Sequence, residues 1–313
     1  VERQRAEFLA EFSASGANRR AVCARWKISP ETAYALLRRY ETEGAAAWSD
    51  RSRRPEHSPR QTSAEMEERV LALRDADPNW GGRKLRRILQ GQGVPGVPAA
   101  STITEILRRR GRLEEAESQK RKAFVRFERE QPNELWQMDF KGHFALGSGA
   151  RCHPLTVLDD HSRFCLELGA CADERGETVR RRLEGTFGRY GLPQSMLMDN
   201  GPPWGNDGVH VYTAFVMWLI RLGIQVLHGR PRHPQTQGKE ERFHRTLNAE
   251  VIRREKLADF PHAQGAFDLY RPKYNHVRPH EALGLEVPAT RYRPSERMLP
   301  QRLSAVEYEA GEV

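Results

Sequence analysis

Cysteine is scarce in this chain of 313 residues, with only Cys23, Cys152, Cys165 and Cys171 present. No two form a C-x-x-C pair and no histidines stand at zinc-ligand intervals, so neither a zinc ribbon nor a disulfide framework is expected. Buried, reduced thiols are the default. Long apolar runs are also missing. The longest of note is Phe215–Ile220, far short of the roughly 18 residues a membrane span needs. No charged-then-apolar leader opens the sequence, so no membrane partner and a cytoplasmic location are expected. Lysine is rare, with eight residues against 43 arginines. A GC-rich coding sequence accounts for part of that ratio, and the fit of the guanidinium fork to phosphate oxygens is the functional reading.

Positive charge is plentiful. Lys and Arg number 51 against 42 Asp and Glu, a formal charge of +9, and the pI is near 9.6 with a mean hydropathy of −0.74. Hydrophobic residues make up 38%, enough for real cores and for two or three domains at this length. Residues 1–132 hold 27 basic and 19 acidic side chains, whereas 133–313 hold 24 and 23. That asymmetry predicts a nucleic-acid-binding front end on a near-neutral body.

The front end reads as two trihelical units. Helices are expected over Glu2–Phe12, over a segment capped by Asn18 and running to Arg25, and from Ser29-Pro30-Glu31 to about Glu43 before Gly44. A tight turn before the last helix makes a helix-turn-helix (1–47), with Arg38 and Arg39 off the apolar face as candidate DNA contacts. In the second unit (63–112), Ser63 caps Ala64–Asp75, Gly81–Gln90 follows, and Ser101 caps a helix ending in Arg108, Arg109 and Arg110, further DNA candidates. The basic linker between them (48–62) carries Arg51, Arg53 and Arg54, either solvated or tracking a minor groove. A charged connector spans 113–132.

From Glu134 the pattern changes to strands. Trp136, Met138 and Phe140 alternate with Gln137, Asp139 and Lys141. Further strands are expected at Pro154–Leu158, Phe164–Leu168, Ser195–Met198 and Ile224–Leu227, with Asp159-Asp160 as a turn. Helices are expected at Glu177–Tyr190, Val209–Leu222 and Gly238 to about Lys256. Three antiparallel strands and then alternating helix and strand describe a mixed α/β fold of the ribonuclease H kind over 133–260, followed by a C-terminal segment (261–313).

Three blocks carry a resemblance: Trp136-Gln137-Met138-Asp139-Phe140, Met198-Asp199-Asn200-Gly201, and the run His233 to Phe243 containing Gly238-Lys239-Glu240-Glu241. They are similar to the catalytic blocks of DDE transposases and retroviral-type integrases. The closing run Tyr274 to Leu283 (YNHVRPHEAL), Arg51-Ser52-Arg53-Arg54-Pro55 and Trp80-Gly81-Gly82-Arg83-Lys84-Leu85 resemble bacterial insertion-sequence transposases with an integrase core. The resemblance implies that Asp139, Asp199 and Glu241 are the catalytic and metal-binding carboxylates, with Glu240 a solvated neighbour. It implies two Mg2+ ions, for which Mn2+ substitutes. It also implies double-stranded DNA as partner, in terminal inverted repeats and target, a homodimer or higher assembly, and a nucleoid-associated bacterial protein. Lys239 and Arg245 are the expected DNA contacts near the site, because Asn248 stands where relatives often carry a base. The 41 residues between Asp199 and Glu241 predict an enlarged loop near 202–208.

Carboxylates suit this chemistry because Mg2+ takes a few carboxylate oxygens plus substrate phosphate. Two ions about 3.5–4 Å apart can clamp both oxygens of an in-line phosphoryl displacement. Water and then a DNA 3′-hydroxyl attack, so no protein nucleophile is required. Two alternatives stay open: a catalytically inactive helix-turn-helix regulator, and a metal-dependent ribonuclease H-like nuclease.

Overall fold

The computed structural model describes residues 2–50, 61–113, 128–201, 203–205, 212–229 and 238–303. Arg51, Arg53, Arg54, most of the expected enlarged loop and the run from His233 to Gln237 lie outside them. Residues 1–61 and 62–313 form two compact units.

In the first unit the caps fall where the side chains dictate. Asn18 accepts from Ala21 N at 3.1 Å to open α2 (Arg19–Trp26) after α1 (Glu2–Phe12). Ser29 accepts from Thr32 N at 3.2 Å, with Pro30 leading α3 (Pro30–Glu43). Each cap satisfies a helix N–H that has no partner within the helix. Lys27, at φ 53°, makes the left-handed turn between α2 and α3. Phe8, Leu9, Phe12, Val22, Cys23 and Ala33 close the core.

The second unit begins with another bundle, α4 (Ala64–Ala76), α5 (Gly82–Gly91) and α6 (Ala100–Arg109). Ser63 caps α4 as expected, accepting from Met66 N. Ser101 does not cap α6: the helix starts two residues earlier than expected, at Ala100 behind Ala99, with no side-chain cap bond. Gly82 has a packing reason, since a Cβ there would lie 2.4 Å from the Ala100 carbonyl oxygen.

The body is a six-stranded mixed sheet. β3 (Arg151–Asp159) pairs antiparallel with β1 (Leu135–Phe140), with the short β2 (Phe144–Ala145) and with β4 (Cys165–Cys171). β5 (Ser195–Met198) joins β1 in parallel, and β6 (Gln225–His228) joins β5. β4 runs three residues beyond its expected end because its ladder continues to His153↔Cys171. Trp136 and Met138 pack under α7 (Gly176–Tyr190) and α8 (Ala214–Arg221). Leu158 and Cys165 face α9 (Gly238–Leu247) and α10 (Phe260–His276) on the opposite side.

Three differences from expectation are physical. α8 starts at Ala214, where Thr213 accepts from Val216 N. The helix expected to reach Lys256 ends as α9 at Leu247 and passes into a π-helical turn, Asn248–Ile252, which carries Glu250 to Arg278. α10 is no appendage, since Phe267, Tyr270 and Tyr274 complete the core on the α9 face.

Candidate active site

Strand register places the two aspartates. Asp139 lies on β1 opposite Thr156 of β3. β1 and β5 run parallel with Gln137 beside Leu197, so the same register two residues on brings Asp199 alongside Asp139. Neighbouring strands are about 4.8 Å apart, close enough for the charges to repel. Burial, and then the Asp199 carboxylate, push Asp139 up to about 7.

The Asp199-Asn200-Gly201 turn is held from several directions. One Asp199 oxygen accepts from Gly201 N at 2.9 Å and from the Trp204 indole N–H. The Asp199 carbonyl meets His228 Nδ1 at 2.9 Å, and Asn200 donates to the Gly229 carbonyl at 3.0 Å. Trp204 also stacks on Phe140, the residue after Asp139, with ring centroids 5.5 Å apart. Gly205 cannot be replaced without movement, because a Cβ would fall 1.9 Å from the Asn200 carbonyl oxygen.

The helix α9 crosses the Asp139 side of the sheet, and here one expectation is corrected. Glu240 is not a solvated neighbour: it is fully buried. Its Oε2 meets the Thr156 hydroxyl at 2.8 Å, and its Oε1 has no side-chain hydrogen-bond partner among the described residues. Burial, with the field of Asp139, holds its carboxyl well above the usual carboxylate range. The helical period of about 100° per residue explains the inversion: Glu240, Phe243 and Leu247 form the inward stripe. Glu241 is 72% exposed, with Arg245 3.9 Å away. Lys239 and Glu241 therefore lie on opposite flanks of the stripe.

His244, one turn beyond Glu240, was not singled out in the sequence. Its Nε2 meets the Thr156 hydroxyl at 2.8 Å, and its Nδ1 stands 4.0 Å from Asp139 Oδ2. Burial and the Lys141 charge push it down to about 4, leaving it neutral at pH 7. The available signal was the i, i+4 spacing from Glu240, but only knowledge of the inward stripe makes that spacing informative. Among the described residues no three His, Cys, Asp or Glu side chains are already gathered to hold an ion.

Among the described residues, most expected DNA contacts are engaged within the protein. Arg39 pairs with Glu43 at 2.8 Å and donates to the Ser49 carbonyl at 2.9 Å. Arg109 and Arg110 both pair with buried Glu67, and Arg108 pairs with Glu105. Lys239 pairs with buried Asp160, which also accepts from Gln137 at 2.7 Å. Arg38 is exposed.

Two models described as integrase core domain match residues 129–234 and 222–288. A homeodomain-like model matches 32–107 and a helix-turn-helix model 4–56. Together the two integrase-core models span residues 129–288. Among curated relatives, the insertion element IS407 31.7 kDa protein of Burkholderia multivorans is 26% identical, over 71% of this chain and 78% of its own length. The insertion element IS476 39.2 kDa protein of Xanthomonas euvesicatoria is 28% identical over 50% of this chain, and the chain spans only 44% of that relative. A chain of the simian T-cell lymphotropic virus intasome, solved with a PP2A regulatory subunit, aligns at 16% identity and a TM-score of 0.46, over 77% of this chain and 80% of its own. The chain is therefore similar to integrase cores, helix-turn-helix domains and insertion-element proteins. No described helix is long and apolar enough to cross a membrane.

Proposed function

We propose that this chain is a DNA transposase that binds the terminal inverted repeats of its own element, cleaves at their 3′ ends and joins those ends to target DNA. The observation that carries the reading is the pair of carboxylates on adjacent parallel strands, with Asp139 held at about 7. A carboxylate in that condition favours a proton or a metal cation. The donor set fits a divalent ion, since both partners are hard oxygen ligands at the sheet end. Asp139, Asp199 and Glu241 would hold Mg2+, two ions in the full site, with Mn2+ substituting. A bound divalent ion supplies positive charge to the scissile phosphate and activates the attacking hydroxyl.

The surrounding side chains orient this pair. Trp204 and Gly201 both hold the same oxygen of Asp199, which fixes the carboxylate. Neutral His244 adds no cationic competitor beside Asp139. Glu241 lies on the exposed flank of α9, where its 3.9 Å pair with exposed Arg245 holds it weakly and leaves it able to turn. Its flank is opposite the Lys239 contact to Asp160, a residue that follows β3, and β5 lies across β1 from β3. That flank supports Glu241 as the helix carboxylate turned towards Asp199.

A second reading is favoured by one observation: Glu240, not Glu241, is already buried in the field of Asp139. One assay separates the two. Wild type, Asp139→Asn, Glu240→Gln and Glu241→Gln are incubated with labelled duplexes bearing the element's ends, a target plasmid and Mg2+. Joined products from wild type and Glu240→Gln, and none from Asp139→Asn or Glu241→Gln, support the proposal. Joining by Glu241→Gln but not Glu240→Gln transfers the third carboxylate to Glu240. Nicks without joining indicate a nuclease, and retarded bands without cleavage a regulator.

A further inference from the structure

The second helical bundle is pinned to the body by polar contacts that the sequence does not announce. Asp77, at the end of α4, pairs with Lys273 of α10 at 2.5 Å, and the same ammonium lies 5.5 Å from the centre of the Trp80 ring. Arg87 of α5 pairs with Glu286 at 2.8 Å. Two further bonds engage the end of the α9 segment: Asn79 donates to the Ala249 carbonyl at 3.0 Å, and Arg254 donates to the Ala76 carbonyl at 2.9 Å. Lys84 of α5 is buried, in the fields of Arg278 and Glu250. Glu250 in turn accepts from Arg278 at 3.0 Å and from the Tyr270 hydroxyl at 3.0 Å. The WGGRKL run, the π-helical turn after α9 and the YNHVRPHEAL run therefore share one joint.

This geometry constrains movement. Contacts to α5, to the turn after α4, to α10 and to the segment after Glu286 are spread over several elements, so no single rotation relieves them all. The segment that carries Ala249 and Glu250 follows α9, the helix bearing Glu240, Glu241 and His244. Whatever the bundle holds is thereby kept at a set distance from the Asp139 site.

We infer that the second bundle is a fixed arm of the catalytic unit, and that Asp77–Lys273 and Arg87–Glu286 are positioning pairs that set which phosphate of a bound duplex reaches Asp139. The inference rests on the proposed function for its DNA half and on the joint alone for its mechanical half.

The two halves have separate readouts. Spin labels at Gln90→Cys and Arg181→Cys, both exposed positions, report the spacing between arm and body. The wild-type background gives one narrow distance distribution, Asp77→Lys with Arg87→Glu broadens it, and adding Lys273→Asp with Glu286→Arg narrows it again. On end-labelled duplex, the broken variant binds within about threefold of wild type but distributes its cuts over neighbouring phosphates, and the reciprocal swap restores one position. A broad wild-type distribution overturns the arm. Cutting by the broken variant at the single wild-type phosphate overturns the positioning role. Absence of any cut by wild type removes the proposed function instead, and the distance measurement still decides the arm.

Discussion

Asp139 carries the clearest chemical signature at the scale of single residues. Its carboxyl is raised from 3.8 to about 7 by burial and by Asp199. Such an acid retains its proton when folded and loses it when unfolded, so the folded state binds more protons between the two values. Metal-free protein should therefore lose stability as pH rises from about 4 to 7. A divalent ion must displace that proton, so its binding strengthens through pH 7. Thermal melts with and without Mg2+ check both: the metal-induced rise in Tm is larger at pH 8 than at pH 6, and Asp139→Asn abolishes it. His244 acts one step away. Its replacement by Ala should weaken metal affinity roughly 10–100-fold, the usual cost of an outer partner, with DNA binding in EDTA unchanged in a mobility-shift titration. Gly205→Ala should cost about 1–3 kcal/mol in denaturant unfolding, the range of an overpacked interior, because its Cβ meets the Asn200 carbonyl.

Elements show what the sequence reveals and what it hides. Ser29, Asn18 and Ser63 act locally, so the chain alone marks their helix starts. Asp139 and Asp199 were singled out by the resemblance of their blocks to integrase motifs; alternation alone marks only the strand that carries Asp139. Glu240 was not legible. Two adjacent glutamates differ only by a 100° rotation, and the sheet decides which one turns inward. The early end of α9 was hidden too, because Glu250 leaves regular helix to meet a residue 28 positions later. The pairing of Arg109 and Arg110, expected DNA contacts, with Glu67 was hidden because it comes from tertiary packing. Lys84 offers a test at this scale. Burial and Arg278 hold it at about 8 against a usual 10.5, with Glu250 and Glu281 opposing and Arg242 assisting. The folded state thus binds fewer protons between those values, and stability should rise as pH climbs from 8 towards 10.5. Wild type should gain Tm relative to Lys84→Met across that interval.

At the scale of the whole molecule, the uneven charge read from the sequence sits on a chain whose basic side chains are partly spent on internal pairs. Salt dependence of DNA binding should therefore report fewer neutralised phosphates than the arginine count suggests. The catalytic account depends on the carboxylates of two separate strands acting together on metal. Mn2+ titration followed by electron paramagnetic resonance measures that directly. The account predicts that wild type binds Mn2+ and that Asp139→Asn and Asp199→Asn each lose the same class of site, while the distant Glu184→Gln retains it. Undiminished Mn2+ binding in either aspartate variant would contradict it.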